Sequence, residues 1–418
     1  ITGRGLHAAF AADIPYTVTV IPMNETNLND PQRVYAVYEI LPQDGSLVFS
    51  HDFGGEGRYV LLVEPKDRKL PRPPRRKRWP AYLEPQRLYV YALDDDLFRL
   101  RPYRGDMHVH SFRSDGRESP AVVVSEYRKA GFDFLAITDH EQYGPSLEAI
   151  DAFKDVPIDL CLFPGEEVHP PEDNTHYVHF AGNRSVNDIF RNEEGRYERE
   201  LAEITKTLEL PQGINRRKYA SCLWVCEEIK KAGGMSIMVH PHWIQDDAYH
   251  VDEKMCIYML KNAPFDAFEL TSGQTQEENQ MQISLWQQLR AEGRSVPVVG
   301  SSDSHSTEEP VTWFNVSKMA VLAEDCGRDS IIRAVRNRQV VVMEQYSGET
   351  LPRLYGEYRY TAFALFLLEE YFPLHDELCF EEGRLMKEYA SGAESAASLL
   401  AAMRGRCGEL MGKCWDGS

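Results

Sequence analysis

The chain has 418 residues, 43% of them hydrophobic and 27% charged, which is the composition of a globular protein with room for two or three domains of roughly 150 residues. A formal net charge of −19 argues against nucleic acid or an anionic membrane as its main partner. No apolar run approaches the roughly 18 residues of a membrane span, the best being 361–368. No signal peptide is visible in a chain that opens at Ile1 without a Met, and eight cysteines without CxxC pairs read as reduced thiols, so a cytoplasmic protein is expected.

Residues 1–103 are expected to form a small, all-β, sandwich-like domain. Short β-branched and aromatic runs at 16–20, 34–40, 47–51, 59–63 and 88–92 read as strands, several of them alternating with period two. Gly54, Gly55 and Gly57 mark a hairpin turn. The segment 66–80 carries eight Lys/Arg and four Pro. It reads either as a docking patch for an anionic partner or, more simply, as a solvated extended loop whose prolines resist sheet pairing.

From 104 to 345 short apolar strands alternate with helical stretches. Strands are predicted at 106–110, 132–138, 160–168, 177–181, 235–240, 267–270, 296–301 and 340–343, and helices from 120, near 146–154, and at 217–232 and 275–292. Such alternation predicts a parallel sheet, and this many units favours a barrel. Ser119 before Pro120 reads as an N-cap, and Gly131 and Gly233 sit where helix C-caps belong. Residues 346–418 read as a helical C-terminal region, with stretches at 360–371, 381–389 and 393–403.

Ten of the thirteen histidines lie between 108 and 305, several beside Asp or Glu at the predicted end of a strand. Residues i and i+2 of a strand point the same way, so His108 and His110 can face one ion while Asp115 comes from the loop beyond. Asp139 and His140 end the next strand and Glu166 and Glu167 the one after. His179 lies on 177–181, His240 and His242 follow 235–239, and Asp303 and His305 form a second i, i+2 pair. In a barrel these strand ends converge on one face. Imidazoles and carboxylates together suit Zn, Mn or Fe better than Ca or Mg, and nine such groups exceed the needs of one ion. His169 and His176 read as residues of an insertion loop, and Cys222 and Cys226, four apart on a predicted helix, as core. There is no GxxxxGK[ST] phosphate loop and no GxSxG nucleophile elbow.

The segments HVHSFRSDG, TDH, GEE, VHF, VHP and SDSH, in this order over 104–345, resemble the successive motifs of the PHP (polymerase and histidinol phosphatase) family. The front β-domain and EEYFPLHDELC in the tail more loosely resemble its CehA/McbA-like branch. The resemblance implies a distorted (β/α)7 barrel holding three divalent ions (Zn, Mn or Fe). It would place His108, His110, Glu167 and Asp303 on the first ion. Glu167, taken over Glu166 because the family reads Gly-x-Glu, would bridge to a second ion with His179 and His240. Asp115, which stands where some members have His, would hold the third with His140 and His305. Asp139 would orient a ligand.

The chemistry so implied is hydrolysis by a metal-bound hydroxide, with the ions neutralising charge on the substrate. Arg113 and Arg117 are candidates to fork onto phosphate oxygens, His242 to contact substrate or protonate the leaving group, and Tyr143 to line the pocket. The leading expectation is a phosphoesterase acting on a small phosphorylated metabolite. The alternatives are a carboxyl or carbamate ester hydrolase using the same site, since the CehA/McbA-like branch includes carbaryl esterase, and a non-catalytic, metal-containing binding protein. No nucleic-acid or membrane partner is expected.

Overall fold

Alternation sets the N-terminal sheet. In β1 (Tyr16–Pro22) Tyr16, Val18 and Val20 are buried, while β3 (Gly57–Pro65) buries Tyr59, Leu61 and Val63. With β2 (Ala36–Ile40) and β4 (Gln86–Ala92) they form one antiparallel sheet in the order β2-β1-β3-β4. Its apolar face packs with Phe10 and Leu47 into one cluster. The expected sandwich is thus, among the described residues, a single sheet. Residues 47–51 form no strand: Leu47 fills the core from a loop, and His51 pairs with Tyr38 Oη (2.8 Å). The Gly54–Gly57 segment leads into β3 without closing a hairpin from a preceding strand.

The computed structural model describes residues 10–24, 35–66, 85–262, 264–308 and 313–415. The basic run 66–80 therefore lies, apart from Lys66, outside the described residues. The chain divides into two units, Ile1–Arg99 with Leu365–Glu370, and Leu100–Ala364 with Tyr371–Ser418.

After α1 (Asp95–Phe98), the second unit runs β5 (Arg101–Asp106), α2 (Pro120–Lys129), β6 (Phe134–Ala136), α3 (Gly144–Ala152), β7 (Cys161–Phe163), β8 (Gly165–Val168) and β9 (Tyr177–Phe180). It continues through α4 (Asn187–Asn192), α5 (Arg196–Thr207), α6 (Arg216–Lys231), β10 (Met235–Met238), β11 (Ile244–Gln245), β12 (Ala248–Tyr249) and α7 (Glu253–Asn262). Then come β13 (Ala267–Thr271), α8 (Gln276–Ala291), β14 (Val298–Gly300), β15 (Ser317–Ala323), α9 (Arg328–Arg336), β16 (Val340–Glu344) and β17 (Arg353–Gly356). The C-terminal helices are α10 (Tyr358–Glu370), α11 (Phe372–Ala390), α12 (Ser395–Met403) and α13 (Arg406–Trp415). Ser119 Oγ accepts from Val122 N at the start of α2, and Gly131 (φ +91°) and Gly233 (φ +71°) follow the ends of α2 and α6.

The fold is mixed α/β, but its strands do not close into one hydrogen-bonded barrel. They form a six-stranded sheet, β17-β16-β15-β5-β6-β7, and a five-stranded sheet, β14-β13-β10-β9-β8. Single parallel bridges link Val109 to Ser304 and His140 to Glu167 across the two sheets. The all-parallel expectation also fails: β9 is antiparallel to β8 and β10, and β15, β16 and β17 are antiparallel to their neighbours. Residues 169–176 hold no crossover helix, so β9 must return antiparallel to β8. From Tyr358 onward the tail is helical, whereas Arg353–Gly356, expected within the helical region, forms the edge strand β17. Leu385, Met386, Leu400 and Met403 join Val123, Val124 and Tyr127 of α2 in one buried cluster. No helix among the described residues is long and apolar enough to cross a membrane, and all eight cysteines are free thiols.

Candidate metal centre

Four chain segments are laced side by side by backbone hydrogen bonds. Asp303 N donates to His108 O (2.9 Å) and His110 N to Ser304 O (3.0 Å). Thr138 N donates to Val109 O (2.8 Å), and Glu167 N to Thr138 O (3.1 Å). This lacing sets HVH beside SDSH on one side and beside TDH on the other, with GEE next in line. Asp106, fully buried, holds the start of the array by accepting from His108 N (3.0 Å) and Ser302 N (3.0 Å); burial raises its pKa to about 7.

Glu167 is the hub. Its Oε2 lies 2.6 Å from His140 Nδ1, 3.4 Å from His108 Nε2 and 3.5 Å from His110 Nε2. Its Oε1 lies 2.8 Å from His176 Nδ1, 3.2 Å from His240 Nε2 and 3.5 Å from His169 Nε2. Asp303 Oδ1 is 3.0 Å from His110 Nε2 and 3.3 Å from His108 Nε2. Asp115 Oδ1 is 3.2 Å from His305 Nε2 and 3.4 Å from His140 Nε2. The His110 ring packs against both His140 and His305, with centroids 4.2 Å from each. His240 (φ +30°) and Asp303 (φ +48°) hold left-handed backbone that costs a non-glycine residue about 1–3 kcal/mol and that clusters at functional sites.

These residues fit a group of divalent ions. His108 Nε2, both nitrogens of His110, His176 Nδ1, Glu167 Oε2 and Asp303 Oδ1 are buried without a hydrogen-bond partner, although carboxylates and imidazoles face one another closely. Buried polar atoms are ordinarily paired, and lone pairs converging without aligned hydrogens are the disposition of side chains that share a cation. Glu269 supports this from behind: its Oε1 accepts from His108 Nδ1 (3.0 Å), leaving Nε2 to face Glu167 and Asp303, and its Oε2 accepts from His240 N (3.1 Å). His305 Nδ1 likewise donates to Asp303 O (2.8 Å).

Burial works to lower the His108 pKa, but Asp303, Glu269 and Glu167 outweigh it and hold it well above the ordinary value. Burial, helped by the neighbouring His140 and His305, pushes His110 down to about 3 against the pull of Asp303. Burial works to raise Glu167, and His176, His108 and His140 overcome it and hold the carboxylate well below its ordinary range. Ion binding must therefore displace protons.

Of the residues expected on ions, eight meet here: His108, His110, Asp115, His140, Glu167, His240, Asp303 and His305. His179 does not. In the β8/β9 pairing Glu166 faces His179 across the strands and Glu167 faces Val178, so His179 shares the side of Glu166, away from the cluster. There His179 Nδ1 donates to Glu166 Oε1 (3.2 Å). Gly182 and Gly234 leave the space its ring fills: a Cβ on either would lie 1.8 Å or 2.5 Å from ring atoms. Glu166 further accepts from Ser185 Oγ (2.6 Å), Val186 N (2.5 Å) and Asn187 Nδ2 (3.0 Å). The place expected for His179 is taken by His176, two residues before Val178 and so on the side of Glu167.

The other expectations are corrected as follows. Arg113 is clamped on Glu148 (Nε 2.8 Å, Nη2 3.0 Å) and stacked on Phe112. Arg117 is exposed and contributes its backbone N–H to His305 O (2.9 Å). His242 is buried against Tyr249, with burial lowering its pKa to about 4, and does not line the cleft over the cluster. Tyr143 donates to Gly182 O (2.8 Å) and covers His179. Asp139 orients no imidazole; it accepts from the backbone and hydroxyl groups of Ser111 and Ser114 and so shapes the loop that carries Asp115. Sequence reasoning missed His176, Glu269 and His250. For His176 the alternation of 176–180 says only that it and His179 face opposite sides; Glu269 is one of many acidic residues and carries no local mark.

The cleft above the cluster has a volume of about 700 Å³ and is lined by Trp243, Ile244, Gln274 and Trp313 besides the cluster residues; among the described residues no Lys or Arg lines it.

No protein-family model matches the chain. A 58-residue stretch is 38% identical to the DNA polymerase/3'-5' exonuclease PolX of Bacillus subtilis, a match spanning 14% of this chain and 10% of that protein. Among solved structures, a two-domain Bacteroides vulgatus protein containing a predicted PHP-like metal-dependent phosphoesterase is similar at 17% identity and a TM-score of 0.40, over 58% of this chain and 65% of its own. An amidohydrolase from Chromobacterium violaceum, solved with sulfate and no metal, is similar at 18% identity and a TM-score of 0.32, over 50% of this chain and 89% of its own. The chain thus spans a tenth of the curated relative it matches, and the structural likenesses are too distant to assign an activity.

Proposed function

We propose that this chain is a metal-dependent hydrolase of the PHP type, with a phosphate ester of a small metabolite as its substrate and three divalent ions, Zn, Mn or Fe, at its centre. The observation that carries the reading is Glu167, whose two oxygens face two different sets of imidazoles, as a bridging carboxylate does. His108, His110, Glu167 and Asp303 would hold one ion, Glu167, His176 and His240 a second, and Asp115, His140 and His305 a third. Ions bound there would make a water acidic enough to serve as nucleophile near neutral pH and would neutralise charge on a phosphoryl oxygen. The protein's own part is to fix the ligands: Glu269 and Asp303 O set the tautomers of His108 and His305, and Asp139 holds the Asp115 loop. The cleft admits a small substrate.

A carboxyl or carbamate ester is the second reading, and one observation favours it. Arg113 is engaged by Glu148, and among the described residues no Lys or Arg lines the cleft to meet a phosphate. Recognition of a phosphate would then rest on the ions alone. The test is metal content by mass spectrometry, paired with turnover of p-nitrophenyl phosphate, bis-p-nitrophenyl phosphate and p-nitrophenyl acetate by wild type, Asp303→Ala and Arg113→Ala. The proposal expects two to three ions per chain and phosphate-ester turnover that Asp303→Ala removes and Arg113→Ala changes less than about threefold. Turnover of the acetate alone establishes the second reading; less than half an ion per chain with no Asp303-dependent activity overturns both.

A further inference from the structure

We infer that His250 is a ligand of this centre, so that the ion beside His176 and His240 is held by three imidazoles and the Glu167 carboxylate. The inference rests on the metal-centre reading above and goes beyond the ligand set that the sequence motifs imply. His250 is 9% exposed, and neither of its ring nitrogens has a hydrogen-bond partner. Leaving a buried polar group unpaired costs about 1–3 kcal/mol, so a histidine with both nitrogens unpaired requires an explanation. Its ring lies 4.5 Å from that of His176 and 5.6 Å from that of His240, centroid to centroid. One nitrogen from each of the three residues lies within 4.8 Å of the other two, close enough to share one ion. His176 and His240 are, with His169, the imidazoles that Glu167 Oε1 faces, and they lie nearer to it than His169 does.

The backbone explains how His250 gets there. It follows the two-stranded hairpin of β11 and β12, which turns on Asp246 (φ +50°) and Asp247 (φ +62°) as a two-residue type I′ loop does. That turn sets the register in which His250 N donates to Trp243 O (2.7 Å), three residues after His240. Glu278, whose carboxylate closes the capping box of α8, also accepts from Ile244 N (2.7 Å) and pins the base of the hairpin. The hairpin buries little of its own: residues 244–249 are all exposed. Isolated two-stranded hairpins are marginal in water, so a ligand at the foot of this one would fasten it over the cleft. A position rich in imidazole favours Zn, Co or Fe over Mg or Mn.

The test uses the full chain stripped with chelator and reloaded with Co(II) or Zn(II). Wild type and His250→Ala are compared by bound-ion stoichiometry, by the Co(II) visible spectrum, and by hydrogen exchange of 244–250 with and without ion. The expected result is that His250→Ala holds one ion at least tenfold more weakly, alters the Co(II) spectrum, and abolishes the ion-dependent protection of the hairpin. Circular dichroism and melting of the ion-free protein should be unchanged. Equal stoichiometry, affinity and spectrum in the two proteins overturn the assignment while leaving the metal centre standing. Absence of bound ions from wild type overturns both.

Discussion

Glu167→Gln should leave a folded protein that has lost at least one ion per chain and at least about 100-fold of its hydrolytic activity. The figure is a floor. Removing a group that only orients a metal ligand already costs 10–100-fold, and Glu167 faces six imidazoles with its own oxygens. Gln keeps the size but replaces one carboxylate oxygen by an amide NH2 that has no lone pair to offer an ion. The measurement pairs metal content with turnover of p-nitrophenyl phosphate. Glu166→Gln is the control. Its carboxylate is spent on Ser185, Val186, Asn187 and His179, so its loss should lower stability with ion stoichiometry intact. Unchanged ion content in Glu167→Gln would remove the bridge on which the functional proposal stands.

Arg128→Met should destabilise the second unit by about 3–5 kcal/mol without changing ion content in the protein that remains folded. Arg128 is fully buried on α2. Its Nε donates to Glu382 (2.6 Å) on α11, its Nη1 to Phe132 O (2.8 Å) and Asp133 (3.2 Å), and its Nη2 to Cys407 Sγ (3.1 Å) on α13. One planar guanidinium thus ties three helices, and its removal strands two carboxylates out of water. Arg128→Lys should rescue little, because a point charge cannot reproduce the fork. The pH dependence has a definite sign. Burial works to raise the pKa of Asp133, but His375, Arg128 and Arg104 outweigh it and carry it down to about 2. The stability this contributes is complete above the ordinary carboxylate pKa and is lost as pH falls towards 2. Thermal melting of wild type should therefore fall across that range and that of Arg128→Met should fall less steeply. A melting temperature within about 2 °C of wild type would show that the helices are held by their apolar cluster alone.

What could be read from the sequence was what depends on local periodicity. His108 and His110, and Asp303 and His305, are i, i+2 pairs on extended chain, so their shared facing follows from the pleat. The alternation of β1 and β3, the Ser119 cap and the helical tail are equally local. The choice between Glu166 and Glu167, and between His176 and His179, was of another kind. His176 and His179 are three apart and must face opposite sides of a strand, so at most one can join Glu167. Which one does is set by the register that pairs Glu167 with Val178, and no residue near 176 encodes the register of a neighbouring strand. The same holds for the sheets. Strand–helix alternation says that strands pair, but the return of β9 beside β8 and the gathering of β15–β17 onto β5 depend on connection lengths and burial across the whole unit. Arg113 was read as free because Glu148 lies 35 residues away, and His250 went unread because only a closed hairpin carries it to His240. Residue chemistry and period two named the kind of site. Tertiary packing decided its members, because a ligand set is a matter of which side chains converge in space, and convergence is fixed by register, turns and charge partners far away in the chain.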